Sequence, residues 1–113
     1  MNELNKRLMK FAVDVYLVTQ EYKKDLLLND NINQLIRSSA SPGANYSEAQ
    51  SAGSIKDFNF KVRICLKEMR ESHYWLHYFH DICPGIIATD PLVQESEELC
   101  KILSTIVFKT QNR

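Results

Sequence analysis

His73, His77, His80 and Cys83 form the pattern H-x3-H-x2-H-x2-C. On a helix that spacing gathers three imidazoles and a thiolate along one flank, a ligand set suited to zinc. Imidazole ligands need a carboxylate or carbonyl to hold the ring, and only Asp81 lies near in sequence. The pattern is therefore expected to hold no metal, and the chain no cofactor. Arg37, Glu48, Glu68 and Glu71 could suggest acid–base work, which requires a positioned partner for the carboxylate. Glu68 and Glu71 instead flank an apolar seam, where pairing with Arg37, or capping of backbone freed at Pro42, would satisfy them. No G-x-S-x-G, P-loop, dinucleotide glycine pattern or H-E-x-x-H occurs, so the chain is read as having no catalytic residues.

A second constellation points to binding. Lys56, Arg63, Lys67 and Arg70 recur at helical spacing with Phe60 and Tyr74 between them. Cations on one line with aromatic rings beside them suit phosphates and stacked bases of RNA or DNA. The same row also reads as a solvated helix face, on which Lys67 attracts Glu71 and Arg63 repels Lys67, or as an oligomer interface. Lys plus Arg and Asp plus Glu each number 14, so there is no general basic excess and any electrostatic site is local.

These residues must be positioned by helices. With 3 Gly and 3 Pro in 113 residues, the turns that a sandwich or barrel needs are missing. Leu4, Leu8, Phe11, Val15, Val18, Tyr22 and Leu26 recur in steps of three and four, which predicts a helix over about 2–28. Asn29-Asp30-Asn31 supplies turn and cap residues before a second helix over 31–51, kinked or broken near Pro42 because proline has no N–H for the preceding turn. Ser54 with Asp57 resembles a capping box opening a third helix over 55–80. Its seam is Phe58, Val62, Cys65, Met69, Ser72, Leu76 and Phe79, with the basic row opposite. Pro84-Gly85 closes it, and Asp90-Pro91 is the expected N-cap and first residue of a fourth helix over 91–110. The seam there is Leu92, Glu95 or Ser96, Leu99, Leu103, Ile106 and Thr110. Short connections make this one all-α domain, an antiparallel up-down-up-down four-helix bundle over residues 1–113.

The three cysteines are far apart and odd in number, which argues against a disulfide framework and for a reducing cytoplasm. No apolar stretch approaches the ~18 residues of a membrane span, so no membrane partner is expected. The cysteines read as small core or interface residues.

Arg37 to Ala49 reads R-S-x-x-S-x-G-A-N-x-x-E-A, Ser54 to Phe58 reads S-x-x-D-F, and Lys67 to Leu76 reads K-E-x-x-E-S-x-Y-W-L. In these motifs and their separations the chain resembles the four-helix-bundle family of proteins encoded in rRNA intervening sequences, often labelled ribosomal-protein-like. Retroelement accessory variability proteins belong to the same broader group. Pro42 stands where the family pattern usually carries Ile. The resemblance implies a non-enzymatic bundle that associates with its own copies, typically as a five-fold ring. It further implies work alongside nucleic acid, the alternative being a protein-interaction scaffold that binds none.

Overall fold

Asn2 opens the first helix by a reciprocal cap. The Asn5 N–H donates to Asn2 Oδ1 at 2.9 Å and the Asn2 N–H to Asn5 Oδ1 at 3.2 Å, pairing amides that a helix start leaves without partners. In the computed structural model, which describes residues 1–83 and 89–112, this helix, α1, spans Glu3–Thr19. It stops well short of the expected Leu28. The Thr19 hydroxyl turns back onto the carbonyls of Val15 and Tyr16, and a short 3₁₀ turn, Gln20–Tyr22, follows. Asp25 then organises a turn of its own: its carboxylate accepts from the Leu27 N–H at 2.8 Å, and its carbonyl accepts from the Leu28 and Asn29 N–H groups. Side-chain acceptors of this kind offer the backbone an alternative to the helix. Leu26, expected on the seam, is 93% exposed.

Helix α2 spans Asn29–Ala49 with Pro42 inside it. It is not divided at that residue. The ring is among the fully buried side chains, so apolar burial offsets the hydrogen bond that proline cannot make. Helix α3 spans Ile55–Ile82, with Ser54 as its N-cap, accepting from the Asp57 N–H at 3.0 Å. Helix α4 spans Thr89–Thr110. Asp90 and Pro91 already lie in its first turn, so Asp90 is not the N-cap; the expected closure at Pro84-Gly85 lies outside the described residues.

Each helix packs on the next, and α4 returns to α1. The 28 residues of α3 occupy ~42 Å, close to the molecule's long axis of 46 Å. Successive helices therefore run antiparallel along that axis, the up-down-up-down bundle. The core is built from the apolar seams: Leu8, Phe11 and Val15 of α1, Ile32 and Leu35 of α2, Val62, Cys65, Met69 and Leu76 of α3, and Leu99 and Leu103 of α4, all 1% exposed or less. Ser38, Ser72 and Ser96 are equally buried. Their small size admits close helix approach, and their hydroxyls are satisfied: Ser72 donates to Ser38 at 2.9 Å, Ser38 to the Leu35 carbonyl, Ser96 to the Val93 carbonyl. Among the described residues no helix is long and apolar enough to cross a membrane.

Candidate functional site

The seam of α3 faces the core, so its opposite and lateral residues are delivered to the surface. Arg63, Lys67 and Arg70 line an open groove of about 550 Å³ against the C-terminal half of α4, whose Ser104, Phe108 and Gln111 form the other wall. From Arg63 to Arg70 is ~10 Å along the helix. No carboxylate lines the groove, and among the described residues none of the three cations has an acidic oxygen within 4.0 Å. Arg63 is nonetheless held. Its Nε donates to Asn59 Oδ1 at 2.8 Å, and a terminal nitrogen reaches Gln111 Oε1 at 3.5 Å. Asn59 is buried and is fixed by donating to the Val107 carbonyl and the Thr110 hydroxyl of α4. These partners orient the guanidinium without cancelling its charge. Phe108, 72% exposed, presents a ring to the same groove.

The remaining members of the expected row sit apart from this groove. Lys56 is exposed in the first turn of α3, and Phe60 is exposed one turn before Arg63. Tyr74 belongs to an aromatic patch, edge-on to Trp75 at 5.1 Å and stacked with Tyr78 at 6.4 Å.

Arg37 joins both carboxylates across the α2–α3 contact. It donates to Glu68 Oε2 at 2.9 Å and to Glu71 Oε2 at 2.6 Å, and the Trp75 indole donates to the same Glu71 oxygen at 3.1 Å. Partial burial raises the Glu71 carboxyl, but the bonds from Arg37 and Trp75 outweigh it and hold the group below its usual range. The Arg37 guanidinium is held correspondingly higher by the same two carboxylates. A carboxylate fixed in this way is a poor proton acceptor.

The histidine row does not converge as a foursome. His73 and His77 meet Glu97 of α4, with their Nε2 atoms 3.3 and 3.9 Å from Glu97 Oε1. His80 turns away to Asp90, 3.0 Å from its Nε2, and to Asp81, and Cys83 does not join the group.

A family model described as 23S rRNA-intervening sequence protein matches residues 2–105. The chain belongs to that family. Among solved structures it is similar to a protein of unknown function from the S23 ribosomal protein family of Bacteroides thetaiotaomicron VPI-5482. The identity is 30%, the TM-score 0.80, and the match covers 92% of this chain and 97% of that one. No curated protein matches it.

In this chain the motif residues largely serve the α2–α3 contact: Arg37 bonds to Glu68 and Glu71, Ser72 to Ser38, and Trp75 holds Glu71 from within α3. The basic groove lies on another side, between α3 and α4. Sequence reasoning missed Asn59, Phe108, Gln111 and Glu97. An asparagine amid an apolar seam, four residues before an arginine, was the available signal for Asn59; the α4 residues carried none, because their partners lie 20 to 48 positions away.

Proposed function

We propose that this protein is a non-enzymatic, self-assembling binding module that contacts the phosphate backbone of nucleic acid through the α3–α4 groove. The observation that carries the reading is the set Arg63, Lys67 and Arg70 on a groove without a carboxylate, with Arg63 held by neutral partners. A cation oriented but not neutralised keeps its charge for an incoming phosphate, and little side-chain freedom is lost when the phosphate arrives. Phe108 offers a face for a base, which suits single-stranded RNA or DNA. The family name associates these proteins with genes for 23S rRNA, which is consistent with an RNA partner. The net charge of zero means that one copy supplies a weak field, and assembly, five-fold by family likeness, would multiply it.

Self-assembly draws support from α1. Met9, Val13, Tyr16 and Leu17 are exposed at spacings of four, three and one, an apolar stripe on the outer face of that helix. The same stripe favours a second reading, a scaffold that docks a protein and binds no nucleic acid. The three cysteines are free, which fits a reducing cytoplasm.

Fluorescence anisotropy with labelled single-stranded RNA and DNA across a salt series tests the first reading, with light scattering on a sizing column to give the subunit count. Binding should weaken steeply with salt, and the triple variant Arg63→Ala, Lys67→Ala, Arg70→Ala should lower the log–log slope by about 2 to 3. Binding that the triple variant leaves unchanged removes the groove from the mechanism. An assembled protein that binds neither polymer at low salt leaves the scaffold.

A further inference from the structure

We propose that His73, His77 and Glu97 bind one divalent first-row transition-metal ion, Zn²⁺ being the ion their donors suit best, and that the ion ties α3 to α4. The two imidazoles come from positions four apart on α3, one above the other on the same flank, with ring centroids 4.6 Å apart. The carboxylate comes from a different helix. One oxygen of Glu97 lies 3.3 Å from His73 Nε2 and 3.9 Å from His77 Nε2, and all three donor atoms fall within 4.8 Å of one another. Two ligands each about 2.1 Å from a tetrahedral zinc sit ~3.4 Å apart. The observed triangle therefore closes on an ion with side-chain adjustments well under the reach of one rotamer change.

Two further features favour the site. The Glu97 carboxylate is already turned toward both rings, so the donors are gathered before an ion arrives. The three side chains are 29%, 50% and 50% exposed, which gives an ion a route in and leaves a fourth position to water, a three-ligand arrangement with a solvent position. His80 and Cys83, the other members of the sequence pattern, are not needed. Each ring would ligate through Nε2 as a neutral imidazole, its single proton on Nδ1. The site is separate from the basic groove and does not depend on it, although both span α3 and α4.

The test uses the full chain without a histidine tag, stripped by chelator, then titrated with Zn²⁺ by calorimetry and with Co²⁺ by visible absorption. The expected result is one ion per chain with micromolar affinity and tetrahedral-type Co²⁺ bands. A melting temperature raised by roughly 10 °C at a hundredfold excess over Kd should accompany it. His73→Ala or His77→Ala should weaken binding at least tenfold, and Glu97→Gln, which keeps the shape and loses the charge, should do so too. His80→Ala should leave binding unchanged. The proposal is overturned by absence of binding, or by binding that survives both His73→Ala and His77→Ala, which marks an adventitious ion only. Loss on His80→Ala with retention in His77→Ala overturns it as well. All four side chains are surface groups, so circular dichroism should report unaltered helix in every variant.

Discussion

Asn59 accepts the Arg63 Nε–H at 2.8 Å while its own amide donates to the Val107 carbonyl and the Thr110 hydroxyl, both at 2.9 Å. Val107 lies in the last turn of α4, where carbonyls have no helical partner. One buried side chain thus caps α4 and aims an arginine of α3.

Asn59→Ala should consequently do two things at once. It takes the 2.9 Å donor from the Val107 carbonyl, leaving only the Thr110 hydroxyl at 3.4 Å, a loss of about 1–3 kcal/mol in stability. It also frees Arg63, so any nucleic-acid affinity should fall, though by less than in Arg63→Ala, because the charge remains. Asn59→Asp separates the roles. It keeps an acceptor for Arg63 but adds the negative charge that the native groove lacks, so affinity should fall at least as far as in Arg63→Ala. Thermal melts paired with anisotropy titrations read both effects; equal affinities for all three variants and the native protein would remove Asn59 from the binding account.

Ser72 and Ser38 make an asymmetric pair. The Ser72 hydroxyl donates to Ser38, whose own hydroxyl is spent on the Leu35 carbonyl. Ser38→Ala deprives a buried donor of its acceptor, whereas Ser72→Ala removes only a partner from an oxygen that stays bonded. The first change should cost about 1–2 kcal/mol and the second less than about 1. The double variant should cost less than the sum, since no orphaned hydroxyl is left. Urea melts of the four proteins check the order.

Gly43 sits inside α2 facing α1. A Cβ built there would lie 3.6 Å from Leu8 Cβ and 3.9 Å from the Leu8 carbonyl carbon, ordinary contact distances. The helix approach does not require glycine, and Gly43→Ala should gain about 0.5–1 kcal/mol from helix propensity. A lower melting temperature in that variant would mean that α1 and α2 pack more tightly than these distances allow.

Much of the bundle was legible because a seam on one helix is a matter of period alone. Val62, Cys65, Met69, Ser72 and Leu76 share a face whatever the neighbours do, and all are buried. The same logic overshot at the end of α1, since Tyr22 and Leu26 continue the period while Asp25 and Asn29 supply hydrogen bonds outside a helix. At Pro42 the sequence left a kink or a break open, because proline's local cost was visible and the burial that offsets it was not; the helix is not divided there. Arg63, Lys67 and Arg70 were readable as a row because they share α3. Their groove was not, because Phe108 and Gln111 reach it only through the rotation of α4 about its axis. That rotation also decides between Glu95 and Ser96: the serine is buried at 0% exposure, and Glu95 pairs at the rim with Arg7 at 2.6 Å.

The same α2–α3 contact should respond to acid. Part-burial raises the Glu71 carboxyl, yet the hydrogen bonds from Arg37 and Trp75 outweigh it and leave the folded-state value below 4.5. A carboxylate whose folded value is depressed contributes stability that is present above the unfolded value and is lost as pH falls through the folded one. The loss should begin near pH 4.5 and be complete below the folded value. Arg37 is 49% exposed and Glu71 34%, so solvent screening keeps the contribution within about 1 kcal/mol. Glu71→Gln retains an oxygen for the indole and removes the charge that Arg37 grips. Its melting temperature should lie below the native one at pH 7, and the gap should close as the pH falls through the depressed folded-state value, below which the native carboxylate is protonated too. A gap that persists unchanged across that range would assign the loss to packing around Trp75 instead of to the charge.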